Sequence, residues 1–123
     1  PGTTDHESYL QWLHYAEGSA MLPLMLLMYV MRLGEAGAPL HPRIDSEIAN
    51  HMSYVEGALA GRDWLLGSEP TGADVQMSFI PEVLKAFGRL DAYPNMAAWI
   101  DRIHARPAWK AGLDKGGPYA LGR

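Results

Sequence analysis

Residues 65–80 read LLGSEPTGADVQMSFI and place one acidic side chain, Asp74, near the start of an otherwise apolar segment. Thr71 precedes Asp74 by three positions, which is the spacing of a capping box. In that motif the Thr side chain accepts a hydrogen bond from the backbone N–H of the third helical residue, N3, and the N3 side chain returns to the N–H of the capping residue. The spacing therefore predicts that a helix begins here.

Two other roles for Asp74 are a catalytic carboxylate and a metal ligand. A general base needs a second polar group that converges on the same site, and the flanking sequence supplies none. A carboxylate in the first turn also lies near the positive end of the helix dipole, which stabilises the helix by roughly a few tenths of a kcal/mol. We therefore interpret Thr71 and Asp74 as helix-capping residues that act in folding.

Upstream of this segment, apolar residues recur at helical spacing. The sequence predicts one long helix over residues 9–33 that bends at Pro23, and a second helix from Pro42 to Gly61. The stripe of the second helix comprises Ile44, Ile48, Met52, Val55 and Leu59. Glycine-rich residues 34–39 separate the two helices.

Downstream, the capped helix carries Met77, Ile80, Val83, Leu84 and Phe87, with an expected kink at Pro81. A fourth helix starts at residues 93–94 and buries Met96, Trp99, Ile100 and Ile103. Pro107 stops it, residues 109–113 predict one short further turn, and the glycine-rich residues 115–123 predict a flexible tail. No run alternates with period two for long enough to predict a strand, so we expect an all-α bundle of about five helices.

Composition excludes several classes of function. The chain has 123 residues, of which 48% are hydrophobic, so one domain with a sizeable core is expected. A net charge of -4 argues against a nucleic-acid surface, although residues 1–84 hold 3 basic and 11 acidic side chains and residues 85–123 hold 7 basic and 3 acidic. The longest apolar run, residues 20–31, is shorter than the roughly 20 residues of a membrane span.

Metal and thiol chemistry find no support in the sequence. With no cysteine, the chain offers no disulfide framework, zinc-thiolate site or Cys nucleophile. The five histidines, His6, His14, His41, His51 and His104, never form a metal-binding motif. We therefore expect no metal site and, by default, a cytoplasmic setting.

Several strings resemble the C-terminal helical domain of the cytosolic glutathione transferases. They are LLGSEPTGAD at residues 65–74, YPNMAAWI at residues 93–100 and ARPAW at residues 105–109. Together with WLHYAEGS at residues 12–19 and ADVQMSF at residues 73–79, they look most like the bacterial and fungal subgroup typified by yeast glutathione transferase I. The resemblance covers nearly the whole chain and rests on the order and spacing of the motifs.

The resemblance implies that residues 1–123 are the second domain of a two-domain enzyme. In that family a thioredoxin-like domain comes first, binds glutathione and supplies the Ser, Cys or Tyr that stabilises its thiolate. No such domain can be recognised in this sequence, and residues 1–8, PGTTDHES, resemble the end of an interdomain linker. We expect a fragment, an excised domain or a stand-alone relative that binds no cofactor itself and is inactive alone, with glutathione as the co-substrate of the full-length enzyme.

By resemblance, the first helix and the capped helix line a hydrophobic substrate pocket. The residues expected to bind the substrate are His14, Glu17, Gly18, Met21, Met25, Val83 and Phe87. Met21 and Leu22 fall where some bacterial classes carry a His–Lys pair, and their soft apolar side chains suit a hydrophobic electrophile better than glutathione. The alternative interpretation is that the methionines pack the core and that His14 is a half-buried interface residue.

Two functions remain open from the sequence. One is the substrate-binding domain of a transferase that conjugates glutathione to small hydrophobic electrophiles or reduces peroxides. The other is a non-catalytic helical module of the same fold that mediates protein association. Tyr9, Trp12 and Tyr15 crowd one short segment, more than a single core face easily buries, so we expect a homodimer through the first two helices.

Overall fold

The structure is a computed structural model that describes residues 2–119. The α-helices are α1 (Thr4–Tyr15), α2 (Met21–Met31), α3 (His41–Leu59), α4 (Gly72–Met77), α5 (Phe79–Ala86), α6 (Pro94–Ala105) and α7 (Pro107–Gly116). A π-helical turn, Ala16–Ala20, joins α1 to α2, and 3-10 segments cover Gly34–Leu40 and Leu90–Ala92. Counting α1–α2 and α4–α5 each as one interrupted helix gives the five that the sequence predicts, and the all-α class is confirmed.

The first long helix begins at Thr4 rather than at Tyr9. Thr3 caps it, because its side-chain oxygen accepts from the His6 N–H at 3.2 Å. Residues 4–8 therefore belong to α1, so the prediction that residues 1–8 resemble a linker is wrong for that part of the segment.

Pro23 acts on this helix one turn before its own position. Proline has no N–H to donate, and its ring crowds the carbonyl four residues earlier, which here belongs to Ser19. Ser19 lies inside the π-helical turn, where the wider winding of the backbone leaves room for the proline ring. The expected bend at Pro23 is thus realised as a π turn directly before it.

The next two helical patterns lie close to their predicted positions. α3 carries a proline in its first turn and buries all five residues of its predicted stripe. The capped helix is interrupted at Ser78, between α4 and α5. Pro81 cannot donate to the carbonyl of Met77, and this lost bond explains the break. The kink predicted at Pro81 is confirmed.

The C-terminal helices differ more from expectation. α6 starts at Pro94 as predicted, and Glu56 of α3 caps it by accepting from the N–H groups of Asn95 and Met96 at 2.8 and 2.9 Å. Pro107 ends α6 but also opens α7, because its fixed φ suits the first position of a helix. α7 has 10 residues, so the single short turn predicted there is wrong. Residues 120–123 of the predicted tail lie outside the described residues.

The core lies between α2, α3, the α4–α5 helix and α6. Its fully buried side chains include Leu24, Ile44, Met52, Met77, Ile80, Leu84, Met96 and Trp99. Only one side of the α1–α2 helix faces this core, and the helix packs on α4 near its beginning and on α3 further along. Part of its surface therefore stays open to solvent, and most of the predicted site residues lie there.

Candidate functional site

Asp74 lies at the centre of a hydrogen-bond network and is only 1% exposed. Its Oδ2 accepts from the Thr71 N–H at 2.8 Å and from the Thr71 hydroxyl at 3.1 Å. The Thr71 Oγ1 in turn accepts from the Ala73 N–H at 3.2 Å. The capping box is therefore confirmed.

Two further donors come from outside the capping box. The Leu65 N–H and the Trp99 indole N–H donate to Asp74 Oδ1 at 3.0 and 3.1 Å. A carboxylate offers about four acceptor positions, and four donors approach this one. The carboxylate thus joins the loop before α4, α4 itself and α6, and its acceptor positions are used in folding rather than facing a substrate.

The predicted binding residues of the first helix lie on both sides of the π turn. His14 is exposed on α1, Glu17 and Gly18 are exposed within the turn, and Met21 is half-buried at the start of α2. A Cβ atom built on Gly18 would meet no atom within 4 Å, so the space beside it is open. His14, Glu17 and Gly18 are thus exposed up to and within the turn, and Met21 is the first residue after it.

Met21 and Met25 both follow the turn, on α2. A π turn accommodates one extra residue, which rotates both of them by about 100° relative to an unbroken α-helix. Met25 lines a groove of about 530 Å³ between α2 and α3, together with Leu22, Leu26, Tyr29, Ile44 and His51. The structure thus divides the face that the i, i+4 spacing predicted as one.

Val83 on α5 and Phe87 at its C-terminal cap have different environments. Val83 is only 6% exposed and belongs to the hydrophobic core. Phe87 is half-buried and packs against that core from its edge. Part of Phe87 is therefore accessible to a ligand, whereas Val83 is not.

The three aromatic residues predicted to form a dimer interface have partners within the chain. Trp12 is 5% exposed and stacks on Tyr54 of α3, with ring centroids 5.3 Å apart. The Tyr15 hydroxyl is hydrogen-bonded to His51 Nδ1 at 2.7 Å. Burial, and secondarily the nearby Tyr54, raises the pKa of Tyr15, so its phenol stays protonated at neutral pH.

Tyr9 completes this set by packing against α4. Its hydroxyl would lie 2.7 Å from a Cβ atom on Gly72, so the absence of a side chain at Gly72 makes room for it. The aromatic crowding on α1 is therefore relieved by α3 and α4 of the same chain. These rings therefore do not need a partner subunit to be covered, and the homodimer interface at Tyr9, Trp12 and Tyr15 stays a prediction.

An exposed apolar stripe on α2 escaped the sequence analysis. Leu22, Leu26 and Tyr29 are 52%, 47% and 53% exposed. They recur at positions i, i+4 and i+7, but α2 is apolar on nearly every side, so no contrast in the sequence marks this face. The π turn was also missed, although Pro23 inside a long helical pattern was the available signal.

The described residues give no sign of a metal centre or a membrane span. Among residues 2–119, no three His, Asp or Glu side chains gather closely enough to hold a metal ion. No helix in the same range is both long and apolar enough to cross a membrane.

The fold and the capped central helix together define a class of protein. An interrupted long helix packs beside a central helix whose N-terminus is held by a buried aspartate, and a proline-bounded helix follows. The family model of the glutathione S-transferase C-terminal domain matches residues 18–107. The chain belongs to this family, and the resemblance stated from the sequence is confirmed.

Individual relatives agree with this assignment. Glutathione S-transferase 1 of Saccharomyces cerevisiae is 24% identical over 121 residues, which cover 85% of this chain and 52% of the yeast protein. Glutathione S-transferase 3 of Schizosaccharomyces pombe is 25% identical over 89% of this chain and 51% of its own length. A crystal structure of a glutathione S-transferase from Actinobacillus pleuropneumoniae matches 93% of this chain and 52% of its own, with a TM-score of 0.79 and 26% identity. The chain spans about half the length of these relatives.

Proposed function

We propose that this chain is the substrate-binding helical domain of a cytoplasmic glutathione transferase. In the whole protein a thioredoxin-like domain binds glutathione and holds its sulfur as a thiolate, and the helical domain positions the electrophile beside it. The reaction is conjugation of glutathione to small hydrophobic electrophiles or reduction of peroxides. The chain supplies the apolar wall and no catalytic group.

The observation that carries this proposal is the π turn at Ala16–Ala20. π-helical turns are rare and are frequent at functional sites, because they cost backbone stability and persist where the altered direction of side chains is useful. Here the turn presents Glu17 and the open space beside Gly18 at the middle of the exposed helix surface. His14 and Met21 flank the turn on either side.

The proposed wall consists of the accessible members of the predicted set. They are His14, Glu17, Gly18, Met21 and Phe87, whereas Val83 belongs to the core and Met25 lines the groove between α2 and α3. A mixed rim of one imidazole and one carboxylate beside soft apolar side chains suits a small hydrophobic ligand with one polar end.

A substitution at Gly18 tests this wall in the protein that carries both domains. The Cβ atom of Gly18→Leu would meet no atom within 4 Å, so we expect the fold to be kept while the size of accepted electrophiles changes. Gly57→Leu is the matched control, because Gly57 is also an exposed helical glycine with nothing within 4 Å of its Cβ position. If both variants keep the same ratio of kcat/KM for large and small electrophiles as the parent, the wall is misplaced.

The second candidate function is a non-catalytic association module. The exposed stripe of Leu22, Leu26 and Tyr29 favours it, because apolar side chains grouped beside a groove commonly mark a protein contact. The same stripe also serves the enzyme proposal as the interface of a homodimer formed by α2 and α3. Both candidate functions predict association, so association cannot distinguish them. Turnover by the two-domain protein can, because only the enzyme proposal predicts it.

A further inference from the structure

A short segment after α7 returns to the body of the domain. Gly117 ends α7 with a φ of 75°, a left-handed conformation that residues with a side chain rarely adopt. Its N–H donates to the Leu113 carbonyl at 2.8 Å. The chain then changes direction, and Tyr119 meets α5. We name residues 117–119 the C-terminal strap.

Glu82 of α5 is the point at which the strap meets the domain. Its Oε1 accepts from the Tyr119 hydroxyl at 2.8 Å and is also hydrogen-bonded to His104 Nε2 of α6. The Glu82 side chain is 12% exposed, so its carboxylate is largely removed from water. One oxygen atom thus connects α5, α6 and the strap, and hydrogen bonds to a charged acceptor are stronger than neutral ones.

Trp109 of α7 packs beside the same groups. Its ring centroid lies 4.5 Å from that of His104, with the planes inclined by 30°, and 6.1 Å from that of Tyr119, with the planes inclined by 80°. Aromatic pairs at these distances stabilise a cluster beyond the area that they bury. The strap and α7 are therefore held at one place through Glu82.

We propose that Glu82 is a latch whose carboxylate holds the C-terminal strap and α7 against α5 and α6, and that the strap and α7 open together when this contact is lost. Lys85 is the other charged side chain of α5 that lines the surface beside Tyr119, and His104 is the titratable group from α6. Both partners of the Glu82 carboxylate, Tyr119 and His104, lie within this chain.

Opening of the latch leaves the core in place. Val83 and Leu84, next to Glu82 in sequence, lie in the core, whereas Tyr119 stays 49% exposed and α7 has no fully buried side chain. Segments with few buried apolar contacts open at a small fraction of the global unfolding free energy. Since Phe87 directly follows α5, the latch links the C-terminus to the helix that leads into the proposed electrophile pocket, a link that rests on the proposed function.

Hydrogen exchange followed by mass spectrometry on the full chain tests the latch without any activity assay. Tyr119→Phe removes one hydroxyl and keeps the ring against Trp109, and Glu82→Leu removes the shared acceptor. Both should speed exchange in residues 107–119 on the order of tenfold, while the amides of α3 keep the parent rate. Lys85→Gln is the matched control and should change neither region.

Two results would overturn the latch. One is a parent chain in which residues 117–119 and α7 already exchange as fast as an unfolded peptide. The other is a Tyr119→Phe variant with parental exchange in that segment. Tyr119→Phe alters only a surface hydroxyl, so it remains decisive if Glu82→Leu does not fold.

Discussion

Trp99 donates its indole N–H to Asp74 Oδ1 at 3.1 Å, and both side chains are at most 1% exposed although 25 positions separate them. This bond converts a local capping motif into a long-range connection between α4 and α6. The carboxylate holds the start of the central helix, the preceding loop through Leu65, and the indole of the last core helix at once. The capping box therefore contributes to the tertiary structure and not only to the start of one helix.

Asp74→Ala should destabilise the chain more than the loss of a cap alone. A lost cap costs about 1 kcal/mol, and each buried donor left without an acceptor costs about 1 to 3 kcal/mol. Because the Leu65 N–H and the Trp99 indole N–H would both be left without an acceptor, we expect a loss of at least about 3 kcal/mol in the free energy of unfolding. Thr71→Ala, the control that removes mainly the cap, should cost about 1 kcal/mol. Equal denaturant midpoints for the two variants would refute the long-range role.

The coupling between Asp74 and Trp99 can be measured directly by a double-mutant cycle. Trp99→Phe removes the donor and keeps an aromatic ring in the core. The Asp74→Ala change should cost less in that background, because one of the two stranded donors is gone, and we expect a coupling energy of about 1 kcal/mol or more. Additive effects on the free energy of unfolding would show that the bond contributes nothing of its own.

Gly72→Ala should destabilise the contact between α1 and α4. Its new Cβ would lie 2.7 Å from the Tyr9 hydroxyl oxygen but 3.6 Å from the next ring atom. We expect a cost of about 1 kcal/mol, typical of mild overpacking. In a Tyr9→Phe background the clash disappears, and Gly72→Ala should become neutral or stabilising because alanine favours helix. A cost that persists with Phe at position 9 would contradict this account of the contact.

Tyr119 should be slow to ionise as the pH rises. Burial, followed by the hydrogen bond and charge of Glu82, raises its pKa from the ordinary 10.0 to about 12. The folded state holds this proton more tightly than the unfolded chain, so the contribution of the protonated phenol is complete below pH 10.0 and is lost as the pH rises through about 12. An absorbance titration should detect this phenol, and Glu82→Gln should move its pKa back toward the ordinary value. No change in that variant would contradict the assignment.

Association should depend on the exposed stripe of α2. Leu26→Glu places a charge beside the groove between α2 and α3 and should shift sedimentation toward the monomer, since burying an unpaired charge is costly. Val75→Glu is the control, because Val75 is 73% exposed and lies on α4. A parent protein that is monomeric at high concentration would remove the homodimer proposal altogether.

The helices could be predicted from the sequence where the apolar and polar faces of a helix differ strongly. α3 and α6 each alternate buried and exposed residues at helical spacing, and their prolines and capping residues mark the ends. The capping box at Thr71 and Asp74 was recognisable because its two residues are three positions apart. These features depend on neighbours in the chain, which the sequence displays directly.

The remaining features depend on contacts between distant residues. The residues near Asp74 in the sequence do not predict its hydrogen bond with Trp99, and those near Glu82 do not predict its hydrogen bond with Tyr119. The nearly uniform apolar character of α2 hides which of its faces is exposed, so Met25 was assigned to the wall, Leu22 was considered only beside Met21, and Leu26 was overlooked. The π turn rotates every residue that follows it about the helix axis. Spacing rules for a regular helix do not account for this rotation.

The central claim is that this chain supplies the electrophile wall and that a thioredoxin-like domain supplies the glutathione site. The measurement is turnover of a chromogenic electrophile across a glutathione titration, made on the 123-residue chain alone and on the protein that joins it to such a domain. We predict turnover only in the joined protein, with Gly18→Leu changing the preference among electrophiles more than the dependence on glutathione. Strong turnover by the 123-residue chain alone would contradict the division of labour, and an inactive joined protein would favour the association module.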